Sequence, residues 1–407
     1  MPTTKTPPTS FPYRTLDQAQ LGGKRVLLRA GFDVPVEGGV VTDTSRIEAI
    51  LPTMRFILDH GASLVIMAHQ GRPKDAPDPA FSQKPLVPVL EKLLKATVHF
   101  APSCTGSDAV SLSGKLQPGD VLLLENLRFD PREKKNDPSL ARDLASLADI
   151  YVNDAFTNCH RKHASMVGVP ALLPSFMGLQ LEREVRHLAP ILGDPRRPTT
   201  LIISGAKMET KIPVIRNFLD RGDDILLGGC IANTFLAARG FDVGASRYEP
   251  DFVEQCRELM LEAEKPEKAD IHVPRDAVVA SAPSSDSIAM DLPLEDIEGD
   301  MQILDIGTVS AERYEAIIRK SGTIVWNGPL GLFEVPHFAN ASKRIAAAVA
   351  DATRGGATSV VGGGDTLDFH VRYGLPLEAY TFASTAGGAM LEFLAGERFI
   401  ALEALKA

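Results

Sequence analysis

The sequence predicts an α/β protein of two domains, each built on a parallel sheet covered by helices. Three observations carry that prediction. At 407 residues the chain exceeds what one hydrophobic core usually holds. Short β-branched and leucine-rich runs alternate with longer amphipathic stretches, the rhythm of βα units. Many of those runs end in residues suited to binding, and open parallel sheets bind ligands just beyond the carboxyl ends of their strands.

In the first half the strands read as Arg25–Arg29, Leu64–Ala68, Val98–Ala101, Val121–Leu124 and Ile150–Val152. In the second half they read as Thr200–Ile203, Ile225–Leu227, Ile271–Val273, Gln302–Leu304, Thr323–Val325, Ser359–Val361 and Tyr380–Phe382. Arg46–His60 and Phe338–Thr353 have the periodicity of covering helices. The break between halves falls near Pro170–Gly178, ahead of a helix-like stretch, Leu179–Leu192, that joins them. The expected division is a domain at 1–175, a helix at 176–192 and a second domain at 193–390. There is no short-period repeat and no low-complexity segment.

Composition excludes some roles. A formal charge of −9 argues against general nucleic-acid binding and against a basic membrane-surface role. An acidic protein that binds anions must concentrate its cations locally. Cys104, Cys159, Cys230 and Cys256 lie far apart with no C-x-x-C pair, which suits free thiols in a reducing compartment. The start carries no apolar stretch of signal-peptide length, and no run could span a bilayer, so a cytoplasmic address is expected. The first dozen residues read as a loose tail.

The strand exits divide by chemistry. Before residue 170 they read His69-Gln-Gly-Arg72, Glu125-Asn-Leu-Arg128 and Asn153-Asp-Ala-Phe156. Arg46, His69, Arg72, Arg128 and Arg161 each follow a strand or open a helix, so the fold could aim them at one site. Arginine suits that work because its planar fork pairs bidentately with carboxylate and phosphate. Solvated surface arginines are the alternative. His160 and His163 have metal-like spacing, but Arg161 and Lys162 between them oppose a cation, so anion contact is the better reading. Cys159 adjoins this cluster, which could lower its thiol pKa.

After residue 200 the exits are mostly glycine: Ser204-Gly-Ala-Lys207, Gly228-Gly229, Asn327-Gly-Pro and Gly362-Gly-Gly-Asp365. Phosphates are often held by backbone N–H groups at a helix N-terminus, where glycine allows close approach. Gly362, Gly363, Gly364, Asp365 and Thr366 follow a strand and lead into a helix-like stretch. Asp365 could hold a magnesium ion shared with nucleotide phosphates, or merely cap the helix. Lys207 and Lys211, one helical turn apart, would put two ammonium groups on one face to meet a migrating phosphoryl group. Solvated lysines are again the alternative. No P-loop and no G-x-G-x-x-G fingerprint is present, which counts against those two nucleotide-binding classes.

Taken together, the chain from about residue 15 to 400 resembles the phosphoglycerate kinase family. The most specific stretches are Arg72-Pro73 after His69, Leu124-Glu-Asn-Leu-Arg-Phe129, Tyr151-Val-Asn-Asp-Ala-Phe156, His160-Arg161, Ser165-Met-Val-Gly168, Trp326-Asn-Gly-Pro329 with Glu334, and Gly362-Gly-Gly-Asp-Thr366. The resemblance implies two Rossmann-like three-layer domains with parallel sheets, joined by a helix, with a cleft between them. It implies 3-phosphoglycerate or 1,3-bisphosphoglycerate on the N-terminal domain, held by Asp33, Arg46, His69, Arg72, Arg128 and Arg161. It implies Mg·ADP or Mg·ATP on the C-terminal domain. There Lys211, Gly228, Gly229, Gly307, Asn327, Glu334, Gly362, Gly363, Gly364 and Thr366 would contact the nucleotide, with Asp365 on Mg²⁺. Arg46, Lys207 and the backbone of Gly364, Gly387 and Gly388 would meet the transferred group. Residues 391–407 would return to the N-terminal domain, and a monomer is the family expectation.

The sequence departs from the family at its first strand. Where the pattern is Arg-x-Asp-x-Asn-Val-Pro, the chain reads Arg29-Ala-Gly31-Phe-Asp33-Val-Pro35. Residues two apart point the same way in an extended chain, so Asp33 could supply the missing carboxylate or repel the substrate's own. Thr157-Asn-Cys159 stands where Gly-Thr-Ala is usual, Cys230 and Ala386 interrupt glycine triplets, and Thr308 replaces a proline. Two other readings are a divergent paralogue with altered substrate and a non-enzymatic protein that closes on a small anion.

Overall fold

The computed structural model describes residues 11–74 and 76–407. Its strands in chain order are β1 Arg25–Ala30, β2 Val36–Glu37, β3 Val40–Val41, β4 Ser63–Met67, β5 Val98–Ala101, β6 Val121–Leu124, β7 Ile150–Asp154 and β8 Ser175–Met177. They continue as β9 Thr199–Ile203, β10 Asp224–Leu227, β11 Asp270–His272, β12 Asp276–Ala280, β13 Met290–Pro293, β14 Gln302–Ile306, β15 Thr323–Asn327, β16 Thr358–Gly362 and β17 Phe382–Ser384. The chain forms two compact units, Met1–Val185 with Arg398–Ala407, and Arg186–Glu397.

In the first unit a six-stranded sheet runs β5-β6-β4-β1-β7-β8, every pair parallel. Helices cover parallel sheets on both faces, so their strands are continuous apolar runs; β4 and β6 are buried along their whole length. The chain moves from β1 to β4 on one side and later returns to β7 on the other. The loops leaving β1 and β7 therefore part, which opens a crevice at that point of the sheet edge. The segment Arg398–Ala407 is bound into this unit: Ala401 N–H donates to the Cys159 carbonyl at 3.0 Å, and Arg14 N–H to that of Leu405 at 2.9 Å. The loose tail expected of the first dozen residues lies outside the described residues except at Phe11 and Pro12. Pro12 is held, its carbonyl accepting from Ala407 N–H at 3.0 Å.

The second unit repeats the plan with the order β11-β10-β9-β15-β16-β17, again parallel throughout. Here the crevice opens between β9 and β15. Trp326 on β15 is fully buried, with its indole N–H on the Gly328 carbonyl at 2.8 Å and edge-to-face contacts to His370 and Tyr380.

Several expectations are corrected. The run at Gln302 does not join the parallel sheet; as β14 it pairs antiparallel with β12, in a three-stranded sheet β13-β12-β14. β13 escaped notice because Met290-Asp-Leu-Pro is largely exposed and ends in proline. β8 sits inside the stretch read as a break, an edge strand just after Pro174. The last strand starts at Phe382 rather than Tyr380, and the helix expected from Phe338 starts at Asn340, because Pro336–Phe338 form a 3-10 turn. The helix at Leu179–Leu192 has the bounds read from the sequence, and the division between units, Val185 to Arg186, falls within it. Among the described residues no helix is long and apolar enough to cross a membrane.

Candidate active site

In the first unit the crevice is lined with positive charge. Arg29, within β1, is 1% exposed. Its Nη2 lies 3.0 Å from His69 Nδ1, and its Nε donates to Ser165 Oγ at 3.1 Å. A guanidinium only donates, so Nδ1 accepts and the imidazole hydrogen sits on Nε2. Burial first, then the charges of Arg29, Arg128 and Arg161, hold His69 well below its usual range, so it is neutral. Arg128 donates to the Gly71 carbonyl, and burial followed by Arg161 and Arg29 pushes it down to about 10, which still leaves it charged at neutral pH. Arg72 contributes to that same shift. Arg46, in the first turn of the helix Ser45–Asp59, donates to the Asp33 carbonyl. Arg128 and Arg161 thus act on His69, while Arg72 and Arg161 act on Arg128. Arg46 is tied to Asp33, which itself acts on Arg128, and a local positive field is what a small polyanion requires.

Sequence reasoning missed how the cluster is underpinned. Glu133, 1% exposed, accepts from Ser165 N–H at 2.9 Å and from its hydroxyl at 2.5 Å, so Ser165 bridges Glu133 to Arg29. Burial raises the Glu133 carboxyl, with Arg29 opposing it. The available signal was an arginine inside an otherwise apolar strand, Val26-Leu-Leu-Arg29-Ala. His163 lies 3.8 Å from Glu133 and is lowered to about 4 by burial and the arginines, so it is an uncharged member of this network at neutral pH. The reactive-thiol expectation for Cys159 is overturned. Its side chain is fully buried, and burial pushes its pKa up to about 12 against the weaker pull of Asn153 and Arg29.

In the second unit a cavity of about 650 Å³ opens over the β9–β15 crevice. Lys207, Lys211, Asn327, Gly363, Gly364, Asp365, Thr366, Gly387 and Gly388 line it. Lys211 donates to Asn327 Oδ1, and the Asn327 amide donates to the Gly362 carbonyl at 2.7 Å, which ties the exits of β15 and β16 together. Burial pushes Lys211 down to about 8, while Asp365 opposes the shift. Gly363 caps the helix Gly364–Arg372 at φ 103°, and a Cβ there would lie 2.5 Å from Asn327 Nδ2. Thr366 Oγ1 accepts from Gly328 N–H at 2.8 Å, so its hydroxyl braces the loop. Lys207 and Lys211 do not share a helical face: the helix starts only at Ile212, with Pro213 in its first turn, Lys211 is its N-cap and Lys207 lies in the loop before it. They reach the same cavity from there.

Beside it, sharing Ser204, Gly205, Ala206 and Asp365, is a second cavity of about 380 Å³ with an apolar wall that includes Ala232, Leu236, Leu330 and Phe333. Gly229 and Glu334 line this slot. Gly228 and Gly307 do not line it; a Cβ on Gly228 would strike Leu330, and one on Gly307 would strike Asp276. A cationic, glycine-lined cavity adjoining an apolar slot has the polarity of a nucleotide, phosphates at one end and base at the other.

Comparison with known proteins decides the lineage. The family model described as phosphoglycerate kinase matches residues 16–397. The chain belongs to the phosphoglycerate kinase family. It is 43% identical over 396 residues to the phosphoglycerate kinase of Chloroflexus aurantiacus, covering 97% of this chain and 98% of that one. With that of Moorella thermoacetica it shares 44% over 392 residues, 96% and 98% of the two chains. The solved phosphoglycerate kinase of Coxiella burnetii superposes with a TM-score of 0.88 at 34% identity, covering 97% of this chain and 99% of that one. That of Pyrococcus horikoshii gives 0.82 at 32%, covering 96% and 98%. As a member of the phosphoglycerate kinase family the chain is a kinase, a phosphotransferase, and both of its parallel sheets fit the α/β class read from the sequence.

Proposed function

We propose that the chain catalyses reversible phosphoryl transfer between 1,3-bisphosphoglycerate with ADP and 3-phosphoglycerate with ATP. One observation carries this reading. The two sheet crevices have complementary chemistries, arginines around His69 in one unit and glycine amides with Lys207, Lys211 and Asp365 in the other.

Arg46, His69, Arg72, Arg128 and Arg161 would bind the phosphoglycerate, with neutral His69 donating from Nε2. Lys211, Asn327 and the backbone of 362–366 and 387–388 would take the nucleotide phosphates, and the slot with Gly229 and Glu334 the nucleoside. Asp365 would hold Mg²⁺: its carboxylate is exposed in the first turn of a helix, and one carboxylate with phosphate oxygens and water is the donor set this ion prefers. The metal would neutralise nucleotide phosphate charge. An acyl phosphate is a high-energy donor, so no covalent catalysis is needed; the protein's residues orient two anions, exclude water and offset charge on the group in flight. Lys207, exposed in the cavity, is the residue free to follow that group. Because the two ligand sets belong to different units, transfer requires the units to bring their ligands together. The protein would work as a cytoplasmic monomer.

The test is a coupled assay with 3-phosphoglycerate and Mg·ATP. Turnover that requires both substrates and is lost in Asp365→Ala supports the proposal, and no turnover with the natural protein would refute it.

A further inference from the structure

Asp33 places a carboxylate among the cations of the first unit. Its Oδ1 accepts from the Gly71 N–H at 2.8 Å. Its Oδ2 lies 3.7 Å from His69 Nε2 and 4.0 Å from Arg46 Nη1. Arg46 is further tied to the same residue through the Asp33 carbonyl. His69 is turned for this contact, because Arg29 occupies Nδ1 and leaves the ring hydrogen on the side facing Asp33. The side chains of Asp33 and Arg46 are 40% and 51% exposed, so solvent and small solutes reach the pair. Two residues earlier, Gly31 carries no charge, although a Cβ there would meet Ala155 Cα and Thr157 Oγ1 at an ordinary 3.6 Å. Negative charge is therefore focused at position 33, on the very groups an incoming anion would use.

We propose, on the phosphoglycerate reading of this crevice, that Asp33 is an internal counter-ion: it occupies Arg46 and His69 in the ligand-free protein and must yield them to the substrate's anionic group. It sets affinity by competition. A carboxylate about 6 Å from a bound anion, at an effective dielectric of about 40, weakens binding by about tenfold. Salt screens that repulsion together with the attraction of the arginines, so the counter-ion also flattens the salt dependence of binding.

Asp33→Asn keeps the Oδ1 acceptor for Gly71 and removes the charge; Asp33→Ser is a second uncharged variant that decides the matter if the first fails to fold. Calorimetric titration of the full chain with 3-phosphoglycerate, and separately with inorganic phosphate, should show Kd about tenfold lower for the Asn variant and lower also for the Ser variant, with a steeper salt dependence. An unchanged or higher Kd would overturn the counter-ion role and mean that Asp33 receives a hydrogen bond from the ligand. Turnover by the natural protein separates this from the wider reading. An active natural protein whose variants bind no tighter loses only the counter-ion. An inactive one overturns the kinase reading, while tighter phosphate binding by the variants would still uphold the counter-ion.

Discussion

Asp154 should make the protein's stability fall as pH rises towards neutrality. It ends β7 fully buried, and its Oδ1 accepts from Leu181 N–H at 2.7 Å at the start of the helix Leu179–Leu192. Thr53, on the Arg46-bearing helix, binds the same helix start through Leu179 N–H at 2.9 Å. Burial raises the Asp154 carboxyl from 3.8 to about 7, more than Thr53 and the amides of Leu181 and Gln180 lower it. Between those two values the native state keeps a proton that the unfolded chain releases. The stabilising protonated form is thus fully present below about pH 3.8 and is lost as pH rises through about 7. Three pH units at about 1.4 kcal/mol each give a loss of roughly 4 kcal/mol. Asp154→Asn retains the acceptor and cannot ionise. Its amide nitrogen replaces Oδ2, which has no hydrogen-bond partner among the described residues, at a pH-independent cost of about 1–3 kcal/mol. Urea unfolding followed by circular dichroism, from pH 4.5 to 8.5, should show the stability of the variant relative to the natural protein climbing to about pH 7 and then levelling. A difference flat to within about 0.5 kcal/mol across that range would refute the reasoning.

Lys207→Ala should slow steady-state turnover at least ~100-fold, the scale of losing one transition-state donor, and near-normal turnover would remove the lysine from that role. Gly363→Ala should weaken Mg·ADP binding about tenfold by calorimetry, since it strains a left-handed cap and crowds Asn327; an unchanged Kd would show that the cap does not shape the cavity. Iodoacetamide at neutral pH should label half-buried Cys230 before Cys159 and Cys104, both pushed up to about 12, and preferential labelling of Cys159 would contradict its burial.

Parallel sheets were easy to read from this sequence because burial on both faces leaves runs such as Leu64-Val-Ile-Met67 and Val121-Leu-Leu-Leu124 that no amphipathic helix would carry. The strand exits were legible for the same reason: His69, Ser204 and Asn327 mark the places where those runs stop. Short antiparallel strands were not, since β13 is exposed and β12 pairs across a bulge at Val278. Motif reading placed side chains near the crevices but could not supply depth. Cys159 next to Arg161 looked activated in sequence, whereas burial decides its chemistry; Lys207 and Lys211 looked helical until Pro213 placed the helix start after them. Arg29 and Glu133 are 104 positions apart and are bridged by Ser165, a relation that no local pattern encodes.

The residues from Arg398 onward complete the core of the unit that begins the chain, while Arg186–Glu397 is one uninterrupted stretch. The second unit is in effect inserted into the first. A ribosome finishes everything the inserted unit needs before it makes the peptide whose Ala401 N–H reaches the Cys159 carbonyl, so that contact of the first unit forms only after the second unit has been synthesised. Nicking the chain near residue 397 would therefore cost the first-made unit its packing, and leave the later-made one whole.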